Sequence, residues 1–146
     1  MAVQIVPSSF EELRMITELD RAAFGVDRWN YLDFISVLQD PSAKSFTAYA
    51  DGDFAGFASV YEEEGEVWIS TIAVASEKRG KGIGSALLDR CEKAFKTRFV
   101  FLNADETNKE LLQFYQKRGY YPIEHWERYY QSGHDSVVML KELHEE

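Results

Sequence analysis

The chain has 146 residues, of which 45% are hydrophobic and 28% are charged, and its net charge is −9. This length and composition fit one folded domain over residues 1–146. The acidic balance argues against general nucleic-acid binding, which requires a basic surface.

No apolar run is long enough to span a bilayer, and the first six residues lack the basic and apolar regions of a secretory signal. The single cysteine, Cys91, excludes an internal disulfide. We therefore expect a cytoplasmic protein with no membrane partner. The negative charge suits a cationic substrate, although an acidic surface also keeps proteins soluble.

The first third of the chain predicts one strand and two helices. A short apolar run at residues 3–6 suits a strand. A capping box from Ser8 to Glu11 begins the first helix, since a serine followed three residues later by a glutamate can satisfy free N–H groups. Apolar residues then recur at helical spacing until Gly25, and a second helix is predicted over residues 29–38.

The middle of the chain predicts an antiparallel meander. Asp51 and Gly52 stand between two apolar runs and form a strong hairpin signal. The acidic stretch at residues 62–66 makes a second turn, which leads into a strand over residues 67–74. A glycine-rich segment follows, and then a helix with Cys91 on its apolar face.

The last third alternates strand, helix and two strands. The continuous apolar run at residues 99–103 indicates a buried strand. A capping box from Thr107 to Glu110 begins a helix, and two strands over residues 120–130 and 136–141 complete the chain. The order βααβββαβαββ predicts an α+β sheet with helices on its faces.

The glycine-rich segment has the features of an anion site. A strand ends in a turn with glycines at positions 80, 82 and 84, and a helix follows at once. The first N–H groups of a helix lack internal partners, and the helix dipole adds positive potential there. Arg79 and Lys81 add formal charge. The alternative is a glycine-rich turn with a solvated basic edge.

Two nucleotide-binding motifs are excluded by spacing. A P-loop requires Gly-x4-Gly-Lys-Ser/Thr, and the chain contains no such string. The dinucleotide fingerprint Gly-x-Gly-x-x-Gly fails because Leu87 or Ser85 occupies the third glycine position. The antiparallel meander is also the wrong element to precede a dinucleotide-binding turn.

The segment Arg79-Gly-Lys-Gly-Ile-Gly84 resembles the Arg/Gln-x-x-Gly-x-Gly/Ala signature of the GNAT superfamily of N-acetyltransferases. The resemblance implies a mixed, mostly antiparallel seven-stranded sheet flanked by about four helices, with acetyl-CoA as the donor. It implies that coenzyme A is held by Ile72, Ala73, Val74, Arg79, Gly80, Lys81, Gly82, Ile83, Gly84, Ser85, Asn108 and Tyr115.

A second motif, Asn108-x6-Tyr115-x3-Gly-Tyr120, resembles the family's Asn-x6-Tyr-x3-Gly-Phe. Seven residues are almost two helical turns, so Asn108 and Tyr115 share a helix face. The resemblance implies that Tyr115 lies by the coenzyme sulfur. A phenol with a reference pKa of about 10 can protonate a departing thiolate. The alternative is a core aromatic with an exposed hydroxyl.

The general base is not evident from the sequence. The chain is most similar to the branch that acetylates protein N-termini, including ribosomal-protein alanine N-acetyltransferases. Where members of this branch carry a Glu or His, this chain has Asn103, and where a related group uses a Tyr it has Trp68. An amide orients a water or an amine but accepts no proton. The remaining candidates are Asp105, Glu62, Glu66 or a water chain.

Two aromatic-rich loops are predicted to bind the acceptor. Tyr129 and Tyr130 begin a segment that resembles the Tyr-Tyr-x-x-Gly-x-Asp-Ala-x-x-Met segment of the same branch, which implies contacts to a peptide backbone. Phe24, Val26 and Trp29 are candidates for the pocket of the first side chain, with packing against the sheet as the alternative. Adjacent strand residues point to opposite faces, so one tyrosine is expected to pack and one to meet substrate.

The resulting hypothesis is direct acetyl transfer from acetyl-CoA to a primary amine, by preference a peptide or protein N-terminal α-amine. An α-amine has a pKa of about 7.7–8.0, against about 10.4 for lysine, so it needs a base least. The alternatives are a small-amine acetyltransferase (polyamine, amino sugar or amino acid) and a non-catalytic acyl-CoA-binding module. Asn103 and Tyr115 are the catalytic candidates. His125, His134 and His144 share no ligand spacing, so no metal is predicted, and the protein is expected to be a monomer or homodimer.

Overall fold

The computed structural model describes residues 1–143, so His144 lies outside the described residues. Within residues 1–143 the chain forms seven strands and four helices. The strands are β1 Val3–Pro7, β2 Ala43–Ala50, β3 Asp53–Glu63, β4 Glu66–Val74, β5 Phe99–Asp105, β6 Tyr121–Trp126 and β7 Ser136–Glu142. The helices are α1 Leu13–Phe24, α2 Tyr31–Gln39, α3 Ile83–Glu92 and α4 Lys109–Lys117, and short 3-10 turns precede the first three.

The seven strands form one mixed sheet in the order β1-β2-β3-β4-β5-β7-β6. Neighbouring strands are antiparallel except for β4 and β5, which are parallel. The register of that parallel pair ends where Ile69 faces Leu102. Beyond it, β4 stays paired with β3 as far as Val74, and β5 stays paired with β7 as far as Asp105. The two halves of the sheet therefore diverge at this end.

Helices cover both faces of the sheet. On one face α3 buries Leu87 and Cys91 against the alanine-rich centre of β2 and β3. On the other face Ile16 of α1 and Phe34 of α2 pack on Phe57 of β3. Burial raises the pKa of the Cys91 thiol, which agrees with its predicted place on the apolar face of its helix.

The predicted fold class and element order are confirmed, and so are both tight turns of the meander. Positive φ angles at Asp51 and Gly52 (50° and 86°) and at Glu64 and Gly65 (51° and 84°) are those of hairpin turns whose twist matches the flanking strands. None of the helices in residues 1–143 is long and apolar enough to cross a membrane.

Both predicted capping boxes are wrong in register. The first is formed by Ser9 and Glu12, with the Ser9 N–H donating to Glu12 Oε1 at 3.0 Å. Ser8 instead makes a 2.8 Å hydroxyl contact with Thr47 of β2. At the second, Asn108 caps α4 by accepting a hydrogen bond from the Leu111 N–H at 3.1 Å.

Two element boundaries also differ from the predictions. Helix α2 begins at Tyr31 rather than residue 29, because Asn30 is its N-cap and accepts from the Asp33 N–H at 2.9 Å. The strand predicted over residues 120–130 ends at Trp126. The chain then turns, with a positive φ of 47° at Arg128, so the two adjacent tyrosines that follow lie in a loop.

Gly84 packs α3 against α4. It has no positive φ, but a Cβ at this position would lie 3.2 Å from two ring atoms of Phe114. Gly80 and Gly82 differ, since each has a positive φ (76° and 82°) and open space around the position of a Cβ. Glycine is therefore required at position 84 for close packing of two helices, and at positions 80 and 82 for a positive φ angle.

We expect Gly84→Ala to lower the free energy of unfolding. Alanine normally stabilises a helix by about 1 kcal/mol relative to glycine, but overpacking against Phe114 costs roughly 1–3 kcal/mol. The net loss should be about 0.5–2 kcal/mol in urea unfolding. In the double variant with Phe114→Leu the two losses should be less than additive, and strict additivity would contradict the proposed contact.

Candidate functional site

The divergence of β4 and β5 opens a cleft of about 400 Å³ over the start of α3. We call it the donor-side cleft. Its lining comes from the end of β4, the glycine-rich turn, α3, α4 and the end of α1. The predicted coenzyme residues that it brings together are Ile72, Ala73, Val74, Arg79, Gly80, Gly82, Ile83, Gly84, Ser85 and Asn108. Lys81 is exposed and lies outside this lining.

The glycine-rich turn gives the donor-side cleft the character of an anion site. Gly82 caps α3 in the left-handed conformation, and the first backbone bond within the helix runs from the Ala86 N–H to the Gly82 carbonyl. The N–H groups before Ala86 therefore have no partner inside the helix. They point along the helix axis, where the dipole also favours an anion.

Three cationic side chains line the donor-side cleft, namely Lys78, Arg79 and Arg118. The Arg79 Nε donates to the Val74 carbonyl at 3.2 Å, which fixes the arginine beside the end of β4. The Arg118 Nε donates to Ser85 Oγ at 2.6 Å, and its guanidinium stacks over a phenylalanine ring of α4. Lys78 and Arg118 were not predicted as site residues: Lys78 directly precedes Arg79 in the sequence, whereas only the fold brings Arg118 to the turn.

A second cleft of about 420 Å³ lies at the divergence itself, where residues 69–72 of β4 and 103–105 of β5 line it. We call it the acceptor-side cleft. It shares Phe24, Ile72, Asn108 and Leu111 with the donor-side cleft, so the two are continuous. A third cleft of about 510 Å³ shares Trp29, Asn103, Tyr130 and other residues with the acceptor-side cleft. It leads outward past Tyr61, Trp68 and Tyr129.

Tyr115 forms part of the wall of the acceptor-side cleft. Its side chain is buried and packs edge-on against Phe114 and Tyr120, with ring centroids 5.4 and 5.6 Å apart. Burial raises the pKa of the Tyr115 phenol, because the charged form would lose its hydration. The phenol therefore keeps its proton at neutral pH and is available as a donor.

Asn103 lies on β5 in the same cleft. Its Oδ1 accepts a 2.7 Å hydrogen bond from the Ser136 hydroxyl, which directs the amide of Asn103 from the neighbouring strand β7. With the oxygen engaged, the NH₂ group is the free end of the amide. The residue is a hydrogen-bond donor in this arrangement, and not a base.

The other predicted bases fit poorly. Asp105 accepts hydrogen bonds from the Thr107 N–H at 2.9 Å, the Thr107 hydroxyl at 2.8 Å and His134 Nδ1 at 2.8 Å. Partial burial opposes its ionisation, but these bonds outweigh burial and hold the pKa of Asp105 below its usual value. Glu62 and Glu66 lie outside the lining of the three clefts.

The structure brings most of the predicted acceptor residues together. Phe24 and Trp29 line the acceptor-side cleft with Tyr130, and Tyr129 lines the third cleft. The argument from strand alternation was wrong because both tyrosines lie in a loop, where their rings meet edge-on at 4.9 Å. Val26 is 58% exposed and lies outside the lining of all three clefts.

Two histidine–carboxylate clusters hold this loop at the mouth of the acceptor-side cleft. In each, possible ligand atoms lie within 4.8 Å of one another, and the residues are Asp27, Asp105 and His134 in the first and Glu106, His125 and Asp135 in the second. Sequence spacing did not indicate these groupings, because their members come from separate elements. The absence of a metal stays a prediction.

Ion pairing favours the charged form of both histidines. The hydrogen bond to Asp105 raises the pKa of His134, and a bond to Glu106 together with the charge of Asp135 raises the pKa of His125. Since both folded-state pKa values exceed the ordinary one, each pair stabilises the fold below about pH 6.5. That contribution is lost as the pH rises through the folded-state pKa.

Two acceptor-side residues, Asp20 and Asp27, were also not predicted from the sequence. Both line the acceptor-side cleft. Asp20 lies four residues after Ile16 on the buried face of α1, and a carboxylate at an apolar helical position was the available signal. The Ser132 N–H donates to Asp27 Oδ1 at 2.9 Å, a contact between distant segments that no local pattern predicts.

Comparison with known proteins agrees with this geometry. Residues 10–120 match the sequence profile of the acetyltransferase (GNAT) family. The chain belongs to this family. It is an N-acetyltransferase, and GNAT enzymes use acetyl-CoA as the acetyl donor.

Individual relatives of this GNAT enzyme are distant. The chain is 26% identical to an N-alpha-acetyltransferase of Sulfurisphaera tokodaii over 90% of this chain and 88% of the relative. It is 25% identical to the spermine/spermidine N(1)-acetyltransferase of Bacillus subtilis strain 168 over 74% and 86%. The family is thus shared by relatives with different acceptors.

Solved structures share the fold. The ribosomal-protein-S18-alanine N-acetyltransferase of Escherichia coli superimposes with a TM-score of 0.85 at 22% identity, covering 99% of this chain and 96% of that one. Arabidopsis thaliana Naa50, solved with the bisubstrate analogue CoA-Ac-MVNAL, gives 0.82 at 22% identity, covering 98% and 100%.

We expect Asp105→Asn to lower the pKa of His134 toward 6.5, because the carboxylate stabilises the imidazolium. Titration of the imidazole C–H resonances by NMR measures this directly. Glu106→Gln is the matched control, since Glu106 contacts His125, and it should leave the His134 midpoint in place. An unchanged His134 midpoint in Asp105→Asn would show that the pair does not form in solution.

Proposed function

We propose that this GNAT enzyme transfers the acetyl group of acetyl-CoA to the α-amine of a peptide or protein N-terminus. The observation that carries the proposal is the continuity of the three clefts. The donor-side cleft meets the acceptor-side cleft at the divergence of β4 and β5, and the third cleft continues outward between Trp68 and Tyr129. Such a continuous path suits an extended peptide. Its first residue would enter the acceptor-side cleft, and the following residues would lie along the third cleft.

The donor-side cleft fits coenzyme A in charge and in hydrogen-bonding capacity. Lys78, Arg79 and Arg118, with the free N–H groups of α3, suit a pyrophosphate. Beyond Ile69 the edge of β4 that faces β5 has no strand partner. Its backbone groups therefore need other partners, and the amide-bearing pantetheine arm can supply them.

Acetyl-CoA supplies an acetyl group activated as a thioester. The protein's own part in the transfer falls to two residues of the acceptor-side cleft. Tyr115, whose phenol stays protonated, is the proton donor to the departing sulfur. Asn103, with its oxygen held by Ser136, presents its NH₂ group for a hydrogen bond to a carbonyl oxygen or a water.

Resemblance to relatives supports a peptide acceptor without deciding it. The N-alpha-acetyltransferase of Sulfurisphaera tokodaii is one such relative, and the Arabidopsis thaliana structure contains a coenzyme analogue joined to the peptide MVNAL. The loop with Tyr129 and Tyr130 borders the groove where such a peptide would pass.

A polyamine is the second candidate acceptor. The acceptor-side cleft is lined by Asp20, Asp27 and Asp105, and by no lysine or arginine of residues 1–143. A Bacillus subtilis relative acetylates spermine and spermidine by name. However, Asp105 already pairs with His134 and Asp27 with the Ser132 N–H, which leaves fewer free carboxylates for a second ammonium group.

We expect thiol release from acetyl-CoA with short peptides that carry a free N-terminus, and little with lysine peptides whose N-terminus is blocked. The reason is the lower pKa of an α-amine, which leaves a larger neutral fraction at pH 7.5. Spermidine completes the panel. Turnover confined to spermidine would replace the peptide proposal with the polyamine candidate.

We expect Tyr115→Phe to lower kcat by about 10²–10⁴-fold, the range for loss of a general acid, while the Kd for coenzyme A changes less than twofold. Tyr121→Phe is the matched control, because Tyr121 is exposed on β6 outside the three clefts. Calorimetry measures the Kd for coenzyme A, and the thiol-release assay measures kcat. Full activity in Tyr115→Phe would assign the proton to another donor.

A further inference from the structure

Asn103 and Trp68 occupy the positions where relatives carry a general base, and neither side chain can accept a proton. One buried carboxylate lines the acceptor-side cleft and has no role in the reaction described so far. Asp20 lies on α1 with only 3% of its surface exposed. Its Oδ2 accepts a 2.7 Å hydrogen bond from the Trp29 N–H, and the residue lines the cleft that also contains Tyr115 and Asn103.

Asp20 is the least neutralised of the three carboxylates in this cleft. Asp105 accepts hydrogen bonds from three donors, one of them a histidine. Asp27 accepts from the Ser132 N–H and belongs to the His134 cluster. Asp20 accepts one backbone hydrogen bond and has no cationic partner among the described residues. Its carboxylate therefore retains the most capacity to accept a proton.

We propose that Asp20 is the general base that removes a proton from the acceptor ammonium group. This assignment rests on the proposed function to the extent that the acceptor amine must enter the acceptor-side cleft. It applies to a peptide α-amine and to a polyamine alike. The proton moves either directly to the carboxylate or through one water.

The proton and electron balance closes without any further reactant. The ammonium gives one proton to Asp20, and the nitrogen lone pair forms the N–C bond as the C–S bond breaks with its electrons on sulfur. Tyr115 gives its proton to the sulfur and regains one from the nitrogen as the amide forms. Asp20 releases its proton to solvent, so the products are the amide, the free thiol and one proton.

The acidity of Asp20 suits this role. Burial raises the pKa of Asp20 to about 6, against the lowering effect of the Trp29 N–H, and the charge of Asp33 raises it further. At pH 7.5 the group is still mainly ionised. Proton transfer from an ammonium of pKa about 8 is then about a hundredfold more favourable than to a carboxylate of ordinary pKa.

Other titratable groups around Asp20 come from each neighbouring element of the site. They are Asp33 on α2, Asp27 in the turn after α1, Asp105 on β5 with His134 behind it, Tyr115 on α4 and Tyr130 in the loop after β6. The tyrosines are neutral at working pH, since burial raises the pKa of both phenols. Among the carboxylates, Asp33 raises the pKa of Asp20 through its negative charge.

The test is the isosteric variant Asp20→Asn, which keeps an oxygen for the Trp29 N–H and removes the base. We expect kcat to fall by about 10²–10⁴-fold and the Kd for coenzyme A to stay within twofold. The acidic limb of the wild-type kcat profile near pH 6 should move up to the pKa of the acceptor amine, about 8 for an α-amine. At pH 9.5, where an α-amine is already neutral, the variant should recover a large part of the lost rate.

Unfolding supplies a readout that does not depend on activity. Because the folded-state pKa of Asp20 is raised, ionisation between about pH 4 and pH 6 costs the native state stability. Asp20→Asn should therefore be more stable than the wild type at pH 8 and equal to it at pH 4. A variant destabilised at both pH values would instead show that Asp20 serves only to hold the turn before α2.

Asp33→Asn tests the effect of a neighbouring charge on Asp20 while Asp20 itself stays in place. Asp33 lies outside the acceptor-side cleft but raises the pKa of Asp20. We expect this variant to keep an acidic limb, shifted to lower pH. A wild-type rate in Asp20→Asn, or an acidic limb that stays near pH 6 in that variant, overturns the proposal. The pH profile and the unfolding measurement can be made with whichever acceptor the enzyme acetylates. Failure of the peptide proposal would be seen separately, in the thiol-release comparison of peptides and spermidine.

Discussion

The divergence of β4 from β5 is the constraint on which the rest of the site depends. Each strand is held on its outer side, β4 by β3 as far as Val74 and β5 by β7 as far as Asp105, while their mutual pairing ends at Ile69 and Leu102. Two backbone edges thus face each other without hydrogen-bonding. Since unpaired backbone groups inside a protein are costly, the opening favours ligands that are themselves rich in amides, as a coenzyme arm and a peptide both are.

Charges of opposite sign predominate in the two clefts, although Glu110 also lines the donor side beside its three cations. Lys78, Arg79 and Arg118 line the donor side, and Asp20 and Asp27 line the acceptor side. A protein of net charge −9 can therefore attract a polyanion locally, because the potential at a ligand depends on nearby charges and helix ends more than on the total. Under the proposed function, the same partition favours an ammonium group on the acceptor side and a polyanion on the donor side.

Local spacing predicted those parts of the fold and site that local geometry determines. The glycine-rich turn and the Asn108–Tyr115 pair each lie on one element, so sequence distance translates into position. Residues whose place depends on tertiary contacts escaped prediction. Ser8 was predicted as a helix cap, but its hydroxyl contacts Thr47 on β2. The tyrosines after β6 lie outside the strand because backbone N–H groups of their loop donate to Asp27 and Asp135.

The structural role of Asp20 does not require a carboxylate. The residue accepts the Trp29 N–H and so fixes the turn between α1 and α2, but a neutral asparagine accepts the same hydrogen bond without the desolvation of a charge. The carboxylate therefore makes the fold less stable than it need be at neutral pH. Such a cost is usual where activity needs a perturbed ionisable group. Asp20 and Tyr115 both line the acceptor-side cleft, so the proposed proton acceptor and proton donor belong to the same cleft.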